Sequence, residues 1–175
     1  MNLGFFTMPM HPIGKDWQQS LREDREAFIL ADQLGFSEGY VGEHATDPEE
    51  NITSSALFLA TLVDATKRMR LGTGTLNMPN HHPAAIAGNI AMLDHLLGGR
   101  FILGISPGAL PSDAEAFGNI DLPRVELQRR QPAPHLFGNH GRAFQRQLVI
   151  VLNIAYFVGV ADDGDLRRSA DGDVL

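Results

Sequence analysis

Four of the seven histidines in this 175-residue chain, His11, His44, His81 and His82, fall just beyond short apolar runs. Imidazole is the side chain whose unperturbed pKa lies near neutrality, so a histidine held at a strand end is a natural proton donor or acceptor. His44 stands out because Glu43 precedes it and the two close the run GYVGEH (39–44). Metal binding is the rival chemistry, since His44, Glu43, His81 and His82 could supply nitrogen and oxygen ligands. Adjacent histidines on extended backbone point in opposite directions, however, and no His-x-His or His-x-x-x-His spacing occurs, so no metal site is expected. GTGTLN (72–77) is glycine-rich but lacks the third glycine and the following helix of a dinucleotide fingerprint. Its glycines suit either close approach of backbone to a flat ligand or tight packing inside a sheet, and spacing alone does not choose.

These residues need a scaffold, and the first two-thirds of the chain supplies one by alternation. LGFFTM (3–8), GYVGEH (39–44), RLGTGTLNM (70–78) and RFILGIS (100–106) read as short buried parallel strands. Between them lie three helical segments. SLREDREAFILADQLGF (20–36) has Ser20 as cap, Leu21, Phe28, Ile29 and Leu34 near helical spacing, and Gly35 as its stop. TSSALFLATLVDATKRM (53–69) opens on Thr53 or Ser54 and is followed by Lys67, Arg68 and Arg70, which suit a helix C-terminus. PAAIAGNIAMLDHLLGG (83–99) places Pro83 in its first turn and Ile86, Ile90, Leu93 and Leu97 on one face. Four strands alternating with three helices imply parallel pairing with right-handed crossovers. An open doubly wound sheet and a (β/α)8 barrel both satisfy that pattern. In either, functional residues gather at the C-terminal ends of the strands: Thr7, Met8 and His11; Glu43 and His44; GTGTLNMPNHHP (72–83); and Ser106, Pro107 and Gly108.

Composition narrows the classes. The chain has no cysteine, hence no disulfide, thiolate metal site or cysteine nucleophile. Its net charge of −7 speaks against a nucleic-acid partner. No basic segment precedes an apolar one at the N-terminus, and the longest apolar run, 147–160, is about half a bilayer span. The expectation is a cytoplasmic protein without a membrane partner. The pattern breaks near residue 121. Residues 1–121 hold 7 cations and 15 acids, whereas 122–175 hold 7 arginines, no lysine and 6 acids. Prolines at 123, 132 and 134 prevent a helix over 121–147. Residues 122–175 are therefore read as an atypical tail, replaced as by a shifted reading frame or disordered.

LGFFTMPMHP, Gly42-Glu43-His44, GTGTLNMPNHHP, MLDHLLGGRFILGISPGALPSD and Phe117-Gly118 occur in an order and spacing that resembles the N-terminal half of a luciferase-like flavin-dependent monooxygenase. This is the bacterial luciferase family, and the resemblance runs over about residues 1–121. It implies the barrel: an α/β fold that is a partial TIM (β/α)8 barrel of about four βα units, followed by an irregular tail. It also implies reduced FMN, delivered by a separate flavin reductase, and molecular oxygen that oxidises a small organic substrate by way of a flavin hydroperoxide. His44 matches the family's strand-two histidine, an acid/base beside the flavin. Gly74 and Thr75 match the strand-three segment that lies against the isoalloxazine ring, where the family often has a non-prolyl cis peptide. Asn77 neighbours the ring's polar edge. Ser106 matches the position where luciferase has a cysteine, so only proximity to the flavin carries over. Glu43 is expected to orient or support rather than act as a base.

Full family barrels exceed 300 residues and grip the FMN phosphate with second-half loops, so the chain is expected to be truncated. Half a barrel leaves strand edges open, which predicts a homo-oligomer. The alternatives are a deazaflavin-dependent oxidoreductase of the same superfamily and a non-catalytic remnant.

Overall fold

The computed structural model describes residues 3–121 and 148–150. The strands follow the apolar runs: β1 (Gly4–Thr7), β2 (Glu38–Val41), β3 (Arg70–Thr73), β4 (Leu76–Asn77), β5 (Phe101–Ser106) and β6 (Leu148–Ile150). Four helices accompany them: α1 (Trp17–Leu34), α2 (Ser55–Ala60), α3 (Pro83–Leu96) and α4 (Pro111–Ala116). All strand pairs are parallel; β1, β2, β3 and β5 lie side by side, and β4 and β6 also pair with β5. Within 122–175 only β6 is described, so the expected tail otherwise lies outside the described residues.

The core fills the space between sheet and helices. Phe28 of α1, Val41, Leu71, Leu103 and Ile105 of the strands, and Ile86, Ile90, Leu93 and Leu97 around α3 are all buried there. The α3 stripe is thus the one its spacing predicts. The opposite face of the sheet carries polar pairs among its apolar side chains. There Tyr40 donates to Glu38 at 2.7 Å and Arg70 pairs with Glu38 at 3.2 Å. Gly72 makes room for that tyrosine, since a Cβ would stand 2.5 Å from the ring.

Three expectations change. α1 begins earlier, with Asp16 as its cap accepting from the Gln19 amide, and Gly35 ends it at φ 87°. Its buried stripe runs Ser20, Asp24, Phe28 and Asp32, whereas Leu21 and Leu34 face out. Polar residues occupy that face because each finds a partner: Asp24 takes His11, and Asp32 takes three backbone amides. α2 is short. Ser54 caps it, but the chain leaves helix after Ala60, so Lys67, Arg68 and Arg70 do not end it. The amides of Lys67, Arg68 and Met69 turn instead to the Asp32 carboxylate.

RLGTGTLNM is two strands rather than one. β3 pairs Gly72 with Ile102, whereas β4 pairs Leu76 with Ile105, so one extra residue sits on the β3–β4 side. Thr73 occupies the gap: its hydroxyl donates to the Gly104 carbonyl at 2.7 Å and accepts from the Gly104 amide at 2.9 Å. The Gly74–Thr75 peptide within the break is cis. Because strand side chains alternate, a one-residue slip exchanges the two faces. Leu76 consequently enters the core, and Asn77 turns toward Ser106.

Asp32 carries a testable load. Burial pushes its carboxyl up, yet the amides of Met69, Lys67 and Arg68 outweigh this and hold it below the ordinary aspartate range. Replacing it with asparagine keeps the shape but removes the charge and one acceptor, and urea denaturation should show a loss of about 2 kcal/mol at pH 7. A folded-state pKa below the unfolded one stabilises above about pH 4, and that contribution fades as pH falls through the folded value. The gap between wild type and Asp32→Asn should therefore narrow in acid.

Candidate active site

Two buried carboxylates organise the C-terminal ends of the strands. Glu43 follows β2 and is 4% exposed. Its Oε2 accepts from the Ser55 amide at 2.8 Å and the Ser55 hydroxyl at 2.7 Å, while Oε1 accepts from the Asn77 amide at 2.7 Å and lies 3.4 Å from His81 Nε2. Burial pushes this carboxyl up, but His81, Ser55 and the Asn77 amide hold it below the ordinary glutamate range. With both oxygens engaged, Glu43 ties the end of β2 to α2 and β4 and is not placed to act as a base.

The other is Asp113 at the start of α4. Its Oδ2 lies 3.2 Å from His44 Nδ1. Oδ1 accepts from the Ala45 amide at 3.1 Å, the Thr46 amide at 2.9 Å and the Thr46 hydroxyl at 2.7 Å. Burial raises this carboxyl, and the Thr46 hydroxyl, His44 and the two amides more than offset it, keeping it below the ordinary aspartate range. An ionised carboxylate accepts from Nδ1–H, which fixes the orientation of the ring and leaves Nε2 at its other edge. The backbone fixes the other end of His44, whose amide donates to the Ile52 carbonyl at 3.1 Å.

Of the remaining predicted residues, three form a chain. The Thr75 hydroxyl donates to Ser106 Oγ at 2.8 Å, Ser106 donates to Asn77 Oδ1 at 2.8 Å, and the Asn77 side-chain amide donates to the Glu43 carbonyl at 3.1 Å. The bulge between β3 and β4 makes this row possible by turning Asn77 toward Ser106. Gly74 stands beside them, and a Cβ there would lie 3.0 Å from both Phe6 and the Tyr40 Cβ, so its smallness serves packing. Thr75 and Ser106 are half-buried, whereas Asn77 is buried with both amide atoms engaged.

The other histidines disperse. His11 bonds Asp24 at 3.0 Å on α1, His81 supports Glu43, and His82 is exposed at the start of α3. Among the described residues no three such side chains are arranged to hold a metal ion. Sequence reasoning missed Asp113. Its one local signal is an acidic residue in the first turn behind Pro111, a common helix opening.

A parallel sheet of βα units with an imidazole and a hydroxyl row at its strand ends has the layout in which (β/α)-barrel enzymes carry their active sites. The chain belongs to the luciferase-like monooxygenases, whose family model matches residues 1–131. It is 44% identical over 118 residues to 4-hydroxyprotoasukamycin monooxygenase of Streptomyces nodosus subsp. asukaensis, covering 67% of this chain and 32% of that protein. It is 36% identical over 118 residues to limonene 1,2-monooxygenase of Rhodococcus erythropolis, covering 67% and 30%. The structure is similar to the oxygenating constituent of 3,6-diketocamphane monooxygenase of Pseudomonas putida, a type II Baeyer–Villiger monooxygenase solved in complex with FMN. The TM-score is 0.71 at 26% identity, over 84% of this chain and 40% of that one. The fold is thus a partial (β/α)8 barrel, and the chain spans about a third of the length of these curated relatives.

Proposed function

We propose that this chain forms the flavin-facing N-terminal part of an FMN-dependent monooxygenase that oxidises a small organic substrate, residues 1–121 being the barrel half. The observation that carries the reading is His44 at the strand ends, backed by buried Asp113 and standing beside a row of half-buried hydroxyls. The residues fit the ring of the flavin. The Thr75 oxygen accepts no protein hydrogen bond among the described residues, leaving its lone pairs for a ring N–H, and Phe6 and Met8 offer apolar surface beside Gly74 and Gly42. They do not fit the phosphate: Lys15 is the one Lys or Arg in the described strand-end loops, and it pairs with Glu23.

Reduced FMN, when bound, supplies the electrons that activate molecular oxygen. Asp113 orients the His44 ring, and Nε2 gives or takes the proton that the reacting oxygen requires. Thr75 meets the ring's polar edge, Ser106 and Asn77 hold its hydroxyl from behind, and Gly74 keeps the turn packed on Phe6 and Tyr40 beside the ring. A separate reductase providing the reduced flavin is part of the reading, supported by the similarity to a protein described as an oxygenating constituent. A second copy covering the open β1 edge is part of it as well.

Flavin absorbance retained after desalting, followed by oxygen uptake with reduced FMN and candidate ketone or terpene substrates, tests the proposal. Turnover with a reduced deazaflavin and none with FMN would replace it with the deazaflavin reading. Failure to retain either cofactor would leave a non-catalytic remnant. Ser106→Ala removes the hydroxyl that links Thr75 to Asn77, and flavin affinity should fall about fivefold to tenfold, one hydrogen bond's worth. Fluorescence quenching of FMN reads this directly.

A further inference from the structure

His44 has a second acidic neighbour. Oε2 of Glu50 lies 3.9 Å from Nε2, the nitrogen that Asp113 does not hold. Glu50 is 8% exposed and its Oε2 makes no hydrogen bond. The next side chain, Asn51, is buried with neither amide atom partnered. Buried polar atoms without partners are uncommon and call for an explanation. Glu43 and Asp113 spend both oxygens on amides, hydroxyls and imidazoles, but Oε2 of Glu50 makes no hydrogen bond and faces the imidazole edge at 3.9 Å.

The segment is well held even though that oxygen is not. Glu50 bridges Met10 in antiparallel fashion, and Ile52 accepts from the His44 amide. Burial pushes the Glu50 carboxyl above the ordinary glutamate range, the His44 ring pulls it down, and Asp47 and Asp113 add to the rise. Those three are the charged groups facing it. The segment that follows β1 brings uncharged Met10 against it, and the His11 ring turns away to Asp24.

We propose that Glu50 is a positioning residue that keeps His44 supplied with a proton: Oε2 recharges Nε2 after the imidazole has given its proton to the reacting oxygen. One O–H bond breaks at Glu50 and one N–H bond forms at His44, and solvent then returns a proton to the carboxylate. A small rotation of the Glu50 side chain brings Oε2 to hydrogen-bond distance, and no existing bond to that oxygen has to break. This deepens the flavin reading, because it rests on His44 as the acid/base.

The test is a pH titration of the full chain by NMR, without flavin, using carboxyl-labelled glutamate and ring-labelled histidine. Groups this close titrate as a pair, so the His44 ring signals should show a second inflection at the midpoint of the Glu50 carboxyl. Glu50→Gln should abolish that inflection. His44→Gln should move the Glu50 midpoint up by about one pH unit, the usual effect of losing a nearby opposite charge. His44 curves that superimpose in wild type and Glu50→Gln, or a Glu50 midpoint unmoved by His44→Gln, would overturn the proposal. Should Glu50→Gln fail to fold, the Glu50 midpoint in wild type and His44→Gln decides alone. With reduced FMN, Glu50→Gln should also lower turnover about tenfold or more and shift its pH profile, at unchanged flavin affinity. A wild-type chain that shows the coupling but binds no flavin would sink the flavin reading and leave the pair standing.

Discussion

His44→Ala is expected to reduce oxygen-dependent turnover by roughly a hundredfold to ten-thousandfold, the range that general acid–base groups supply. The expectation rests on position. The imidazole stands at the end of β2, its Nδ1 is 3.2 Å from a buried carboxylate that is itself held by the Ala45 and Thr46 amides, and its amide is tied to Ile52. That much support leaves the ring few rotamers and holds Nε2 toward the site with Glu50 as its acidic neighbour. Flavin retained after desalting should change little, because the ring contact is assigned to Thr75, which Ser106 and Asn77 hold from behind with Gly74 packed beside it. Asp113→Asn should give an intermediate loss, since it keeps an acceptor near Nδ1 but withdraws the charge. Turnover unchanged in His44→Ala would remove the histidine from the chemistry altogether.

The largest structural effect should come from Glu43→Ala. Four polar groups from α2, β4 and the loop before α3 converge on this one side chain: the Ser55 amide and hydroxyl, the Asn77 amide and the His81 ring. Deleting it strands buried donors on α2 and β4, at a cost of roughly 3–5 kcal/mol. Urea denaturation at pH 7 measures that loss, and Glu43→Gln should recover about half of it by retaining one acceptor. Held below its ordinary range, the carboxyl stabilises the fold above the usual glutamate pKa and loses that effect as pH falls through the depressed value. The wild type should therefore weaken in acid more steeply than Glu43→Ala. A loss below about 1 kcal/mol would mean that water replaces the carboxylate without penalty. Because Asn77 hangs from the same group, Glu43→Ala should also weaken flavin binding more than Ser106→Ala does.

Much of this molecule is written locally. Continuous apolar runs with interposed helical stripes specify buried parallel strands; Gly35 stops α1, and Pro83 with Ile86, Ile90, Leu93 and Leu97 specifies α3 and its buried face. Motifs at the strand ends identify the family and mark His44, Gly74, Thr75, Asn77 and Ser106 as the residues to examine. The elements are legible because they depend on steric preference and on hydrophobic periodicity over a few residues; the site residues other than His44 are legible only through the family resemblance.

The partners of those residues are not written that way. Asp113 lies 69 positions from His44, and α4 brings it there only after β5 has packed beside β3. The polar stripe of α1 reads as an error until His11 and the 67–69 amides arrive to satisfy it. Asn77 reaches Ser106 because β3–β4 slips one residue against β5, and no propensity within GTGTLN reports a slip that depends on the neighbouring strand. Local sterics and periodicity made the elements, the site face and His44 readable from the chain itself, and the resemblance added the other candidates. Register and non-local hydrogen bonding, which exist only once the sheet has formed, decided which of them meet.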